Sequence, residues 1–187
     1  MSLDFIILGA QKAATSALQL ALRKHPDIYM PEGESAFFEE PDFALQPWKT
    51  FGKKGRLNGI KRPDYLCSDQ AIYRISSALP QAKFIVVVRE PISRAVSSYC
   101  HLVRHAHLPA LPLNEGLRRC FDAFELRGDP FPEANVLSYG LYGQFLRKWY
   151  ASYSESRFLI LSQKQMLESP GLALKQVASH LEVHPEP

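Results

Sequence analysis

Apolar positions along the chain gather into short runs separated by stretches of helical period. Phe5-Ile6-Ile7-Leu8 is an apolar run closed by Gly9, and it reads as a buried strand. Thr15 then offers a capping hydroxyl before Ser16–Lys24, a helix pattern that His25-Pro26 ends because proline cannot continue it. From Tyr29 to Pro63 no period is sustained, and the composition predicts loops with a short helix around Pro41–Lys49. Ser68–Leu79 predicts a modest helix. Lys83-Phe84-Ile85-Val86-Val87-Val88 is the strongest strand signal, since an all-apolar β-branched run suits a parallel strand covered on both faces.

Pro91 marks the first turn of a helix that runs through Ser97 and Tyr99 towards His105. A turn-rich break at His107–Pro112 precedes a helix from about Asn114 to Leu126, and Tyr139–Tyr150 reads as one amphipathic helix. Arg157–Leu161 is a third strand and Gly171–Leu181 a final helix. Strands alternating with helices imply crossover units, hence an α/β fold with a parallel sheet flanked by helices.

Composition narrows the reading. At 187 residues the chain suits one domain, taken as residues 1–187, with a sizeable core. Lys+Arg at 22 against Asp+Glu at 19 leaves a net charge of +3, too weak to announce a nucleic-acid surface. No apolar run approaches the roughly 18 residues that cross a bilayer, so no membrane partner is expected. Cys67, Cys100 and Cys120 are odd in number and lack metal-ligand spacing, which predicts free thiols in a reducing, cytoplasmic compartment.

Two segments carry candidate chemistry. Gly9-Ala10-Gln11-Lys12-Ala13-Ala14-Thr15-Ser16 joins a strand to a helix N-terminus, where free backbone N–H groups and the helix dipole favour a phosphate. Lys12 adds charge, and Thr15 and Ser16 add hydroxyl donors. An ordinary strand-to-helix turn with a surface lysine is the alternative. A nucleotide-triphosphate P-loop fits poorly, because its Lys stands directly before the Ser/Thr, whereas Lys12 lies three residues before Thr15.

The second segment, Arg89-Glu90-Pro91-Ile92-Ser93-Arg94-Ala95-Val96-Ser97-Ser98-Tyr99, follows the valine-rich strand. Arg89 sits at a strand carboxyl end, where open α/β sheets place ligands, and Ser97 falls about two turns into the next helix. Guanidinium and hydroxyl can share one anion there, and two such sites suit a ligand phosphorylated at both ends. The alternative is that Arg89 and Arg94 pair with surface carboxylates such as Glu90.

Together these segments resemble the 3′-phosphoadenosine 5′-phosphosulfate (PAPS)-dependent sulfotransferase superfamily, in its heparan-sulfate-type and bacterial branch, from Phe5 to about Val183. The resemblance implies the P-loop-like sulfotransferase fold. It also implies a 5′-phosphosulfate site at Lys12, Ala13, Ala14, Thr15 and Ser16, and a 3′-phosphate site at Arg89 and Ser97. Arg89, Pro91, Arg94, Ser97 and Tyr99 complete the family's Arg-x-Pro-x-x-Arg-x-x-Ser-x-Tyr pattern. Glu34-Ser35-Ala36-Phe37-Phe38 resembles the Glu-x-x-Phe-Phe segment whose Glu is the general base. Lys61-Arg62-Pro63-Asp64-Tyr65 resembles the Lys-[Ser/Thr]-Pro-x-Tyr segment whose Lys lines the active site.

The implied function is transfer of a sulfuryl group from PAPS to a hydroxyl or amine of an acceptor, an anionic glycan or a small hydroxylated metabolite, without a metal. Glu34 takes the acceptor proton, Lys12 meets charge on the leaving phosphate, and Lys61 neutralises the transferring sulfonate. The alternatives are a non-catalytic nucleotide- or glycan-binding member and, less favoured, a kinase-like P-loop enzyme.

Three departures stand out. Ala14 replaces the usual Gly, on a backbone expected to be helix-like, and Arg62 replaces Ser or Thr. The sequence ends at Glu182–Pro187, where the family continues into a basic segment, so that segment is expected to be missing. His101, His105 and His107 lack the partners of a metal site. Tyr139, Tyr142, Phe145, Trp149 and Tyr150 read as core, while Lys53, Lys54, Arg56, Lys61 and Arg62 read as one basic loop cluster.

Overall fold

A computed structural model describes residues 3–41, 52–126 and 132–185. Five strands, β1 (Phe5–Gly9), β2 (Ile28–Tyr29), β3 (Leu57–Lys61), β4 (Lys83–Val88) and β5 (Phe158–Ser162), form one sheet in the order β2-β3-β1-β4-β5. Every pairing is parallel. The helices are α1 (Thr15–Leu22), α2 (Asp69–Ala78), α3 (Pro91–Arg104), α4 (Leu113–Glu125), α5 (Pro132–Ser138), α6 (Tyr142–Tyr150), α7 (Gln163–Glu168) and α8 (Pro170–Leu181). The expected α/β architecture is what the chain adopts.

The central strands are apolar because both their faces are covered. All five residues of β1 are buried, as are Phe84 to Val87 of β4. Trp149 packs tilted and Tyr153 edge-on against Phe84, with ring centroids 5.1 and 4.7 Å away. A smaller cluster of Ala95, Tyr99, Leu108, Cys120 and Val136 joins α3, α4 and α5. Helix starts follow local chemistry: Ser68 caps α2, and the Glu90 carboxylate accepts from the N–H groups of Ile92 and Ser93 at the start of α3.

The sequence reading needs correction in four places. The Tyr29–Pro63 segment holds β3, not loops throughout. Its pattern Leu-Asn-Gly-Ile-Lys hides the strand because Gly59 faces Phe5, where a Cβ would overlap the Phe5 ring, and buried Asn58 and Lys61 spend their polar groups on partners. The helix expected over Tyr139–Tyr150 is α6, which starts three residues later at Tyr142, and α5 and α7 are short helices that were not expected. Thr15 is the first residue of α1 and is buried, so it caps nothing; the N-cap position is Ala14. The basic loop cluster is not one patch, because Lys53, Lys54 and Arg56 precede β3 whereas Lys61 and Arg62 leave its other end. The helix expected around Pro41–Lys49 lies outside the described residues.

Candidate active site

Three neighbouring strands deliver the candidate residues to one edge of the sheet. β3 ends in Lys61, β1 opens into the Gly9–Ser16 loop, and β4 ends just before Arg89. This is the carboxyl edge, where α/β sheets bind ligands. Gly9 is required there: a Cβ would stand 2.9 Å from the Pro63 carbonyl oxygen.

The loop after β1 is shaped as an anion cradle. Lys12 and Ala14 both have left-handed backbones, with φ of 66° and 70°. Alternating left- and right-handed residues turn successive N–H groups into one concavity. Among the described residues no backbone carbonyl accepts from the amides of Ala14, Thr15 or Ser16, while Ala13 donates to Ala10. The helix-like backbone expected at Ala14 is therefore a left-handed one, at a cost of about 1–2 kcal/mol for a side chain. This donor set fits an anionic phosphosulfate.

Arg89 meets this cradle directly. Its Nη1 donates to the Lys12 carbonyl at 3.3 Å, across 77 positions of sequence. Tyr142 of α6 fixes the Arg89 backbone from behind: its hydroxyl donates to the Arg89 carbonyl at 2.9 Å and accepts from the Arg89 N–H at 3.4 Å. The Lys12 amine lies below the ordinary lysine range because of partial burial, then repulsion from Arg104 and Arg89, against which Glu34 pulls upward. Ser97 is half-buried on α3. A groove of about 510 Å³ opens beside Arg89, lined by Pro91, Ser93, Tyr142, Ser162 and Gln163 among others.

Arg94 does not pair with a surface carboxylate. It is fully buried and donates to the Val136 carbonyl of α5, while Glu90 is occupied in capping α3.

Glu34 and Lys61 complete the assembly. Lys61 is buried, and a buried cation needs partners. Its Nζ donates to Ser16 Oγ at 2.8 Å and sits 3.2 Å from Glu34 Oε1, so one ammonium bridges cradle and carboxylate. The Glu34 segment is anchored by Tyr65, whose hydroxyl donates to the Ser35 carbonyl at 2.6 Å and accepts from the Phe38 N–H at 2.9 Å. Burial pushes that phenol well above the ordinary tyrosine range.

All the sequence-derived site residues thus lie at the carboxyl edge of the sheet or on the helices that leave it. Tyr142, Gln11 and the contacts of Arg62 were missed. The helical spacing of Tyr142 points to core and its hydroxyl is the signal that marks it out, whereas Gln11 carries no signal in the sequence beyond its place in the loop. His101 and His105 meet edge to face at 4.4 Å between ring centroids, but among the described residues no group of three or more His, Cys, Asp or Glu is placed to hold a metal.

Comparison with known proteins gives the family and the fold. The sulfotransferase domain family matches residues 2–187. Heparan sulfate glucosamine 3-O-sulfotransferase 6 of Mus musculus is 31% identical over 181 residues, covering 94% of this chain and 51% of its own length. Heparan sulfate glucosamine 3-O-sulfotransferase 3B1 of Mus musculus is 29% identical over 184 residues, covering 94% and 45%. The chain therefore spans about half the length of these relatives. A crystal structure of a sulfotransferase from Alicyclobacillus acidocaldarius superposes with a TM-score of 0.83 at 22% identity, covering 100% of this chain and 83% of that one.

Proposed function

The chain belongs to the sulfotransferase domain family, and on that premise we propose that it moves a sulfuryl group from PAPS to a hydroxyl or amine of a carbohydrate or small-molecule acceptor. The observation that carries this reading is the contact between the Arg89 guanidinium and the Lys12 carbonyl. It joins the two anion-binding segments into one continuous site, as a ligand with phosphates at both ends requires.

Each residue has a task set by its surroundings. The amides of Ala14, Thr15 and Ser16, with the Thr15 and Ser16 hydroxyls and Ala13 in the same turn, hold the 5′ end. Arg89 and Ser97 hold the 3′ phosphate. Lys12 meets the charge that grows on the leaving phosphate oxygen as the S–O bond breaks. Glu34 accepts the proton of the acceptor as the new S–O or S–N bond forms. Lys61 offsets negative charge on the sulfonate in passage and keeps Glu34 in register with the cradle. Fixed cations and dipoles take the part that metal ions play in many phosphoryl transfers.

The names of the relatives support a carbohydrate acceptor. Three free thiols support a reducing, cytoplasmic setting. The test is twofold. Titration calorimetry should show binding of adenosine 3′,5′-bisphosphate and none of ATP with magnesium. Radiolabelled PAPS should transfer its label to heparan sulfate or to a small phenol. Preference for ATP would overturn the reading in favour of a kinase-like enzyme, and binding without turnover would leave a non-catalytic member.

A further inference from the structure

Arg62 follows Lys61 at the end of β3 and is surrounded by three carboxylates. Its Nε and Nη2 hold Glu39 Oε2 at 2.9 and 2.7 Å, and Nη2 also lies 3.2 Å from Asp64 Oδ2. Its remaining arm, Nη1, donates to Glu34 Oε2 at 3.2 Å. Glu34 is therefore gripped on both oxygens, by Lys61 on one and Arg62 on the other. The chain of contacts continues away from Glu34. Asp64 Oδ1 accepts from Gln11 Nε2 at 3.4 Å, and Gln11 Oε1 accepts from the Ser98 hydroxyl of α3 at 3.3 Å.

We propose that Arg62 is the positioning residue of the candidate base: its planar fork, fixed by Glu39 and Asp64, sets the plane of the Glu34 carboxylate against Lys61. A guanidinium has rigid geometry, so two arms fixed by carboxylates dictate where the third points. An ammonium at this position keeps the charge but not the direction. Glu34 side-chain exposure is 38%, so without this grip the carboxylate, held by Lys61 on one oxygen alone, can turn about that contact towards solvent. The support reaches the donor loop through Gln11, so base and cradle are oriented from one scaffold. Glu39 and Asp64 both lie above the ordinary carboxylate range because of burial, against which Arg62 pulls them down.

The role of Arg62 in turnover rests on the sulfotransferase reading; the geometric claim does not. Arg62→Ser and Arg62→Lys would be compared with wild type by crystallography, by calorimetry with adenosine 3′,5′-bisphosphate, and by transfer of label from PAPS to heparan sulfate. The expected result is a displaced Glu34 carboxylate in both variants. With it should come a fall in kcat of roughly tenfold to a hundredfold, and donor KM and bisphosphate affinity within about twofold of wild type. Glu39→Gln, which loosens Arg62 without touching Glu34, should shift kcat in the same direction by less, and it serves should the Arg62 variants fail to fold.

The proposal is overturned if Glu34 keeps its place in both Arg62 variants, if Arg62→Lys matches wild type, or if donor affinity falls in parallel with kcat. A wild-type protein that binds no bisphosphate and transfers no label would sink the sulfotransferase reading instead. The position of Glu34 in the variants would then still decide the claim about Arg62.

Discussion

The two halves of the site are built by different means. The donor side, from Gly9 to Ser16 with Arg89, is shaped by backbone: a close approach at Gly9, left-handed residues at 12 and 14, and amides pointing into a concavity at the end of buried strands. The acceptor side, around Glu34, is shaped by side chains: Lys61, Arg62 and the Tyr65 hydroxyl tie a loop to the end of β3. A backbone cradle is fixed by the fold and tolerates most side-chain changes. A loop held by side-chain contacts is open to single substitutions and can be retuned without disturbing the sheet.

That contrast can be broken most sharply at Lys12. Lys12→Ala should lower the transfer rate by about 100- to 1000-fold, as loss of one preorganised charge-stabilising donor does. Full activity in a radiolabel assay would dissolve the division of labour. Arg89→Ala should come next, weakening adenosine 3′,5′-bisphosphate by roughly ten- to a hundredfold in calorimetry, the scale of hydrogen bonds to a charged group. The circular-dichroism spectrum should stay unchanged, because Arg89 follows β4 and its contacts with Tyr142 run through the backbone, which the substitution keeps.

On the acceptor side, Tyr65→Phe removes the hydroxyl that ties the Phe38 N–H to the Ser35 carbonyl and should cost about 1–3 kcal/mol in denaturant unfolding. Transfer should slow while bisphosphate binding holds. Equal losses in both would show that the halves are not separable.

These predictions reach residues that were legible to very different degrees. β1 and β4 could be read because strands covered on both faces must be apolar throughout, and the loops that follow them carry charge at positions the fold must expose. β3 could not, since its buried Lys61 is satisfied by Ser16 far along the chain, its Asn58 side chain by the Lys53 N–H and Arg56 carbonyl of the turn before it, and Gly59 is small only because Phe5 lies over it. Glu34 and Lys61 were found through resemblance, and their contact is a product of tertiary folding. Arg62 was read as a departure from a pattern; its meaning lies in Glu39 and Asp64, which no local spacing links to it. Ala14 was misjudged because sequence does not report the sign of φ.

Two smaller effects sharpen the donor side further. Ala14→Gly should relieve part of the left-handed strain and raise stability by about 1 kcal/mol, or a melting temperature roughly 2–4 °C higher. Bisphosphate affinity should hold or rise. The rate should also decline on the alkaline side before the ordinary lysine value of 10.5 is reached, because Lys12 works as its cation and its amine is depressed by burial and by Arg104 and Arg89. A kcat–pH profile running flat through that value would remove Lys12 from the charge-stabilising role.

Lys61, Lys12 and Arg89 leave three strands that lie side by side, and parallel strands keep a pitch of about 4.8 Å. The sheet therefore works as a gauge, because the interval between its charged stations is metered by hydrogen-bond geometry that loop substitutions do not reach. Evolution or design can change what each station grips while the distance between grips stays constant. On the proposed reading, an adenosine bearing a phosphate at one end alone would occupy a single station, and discrimination between mono- and bisphosphorylated nucleotides would be inherited from the architecture.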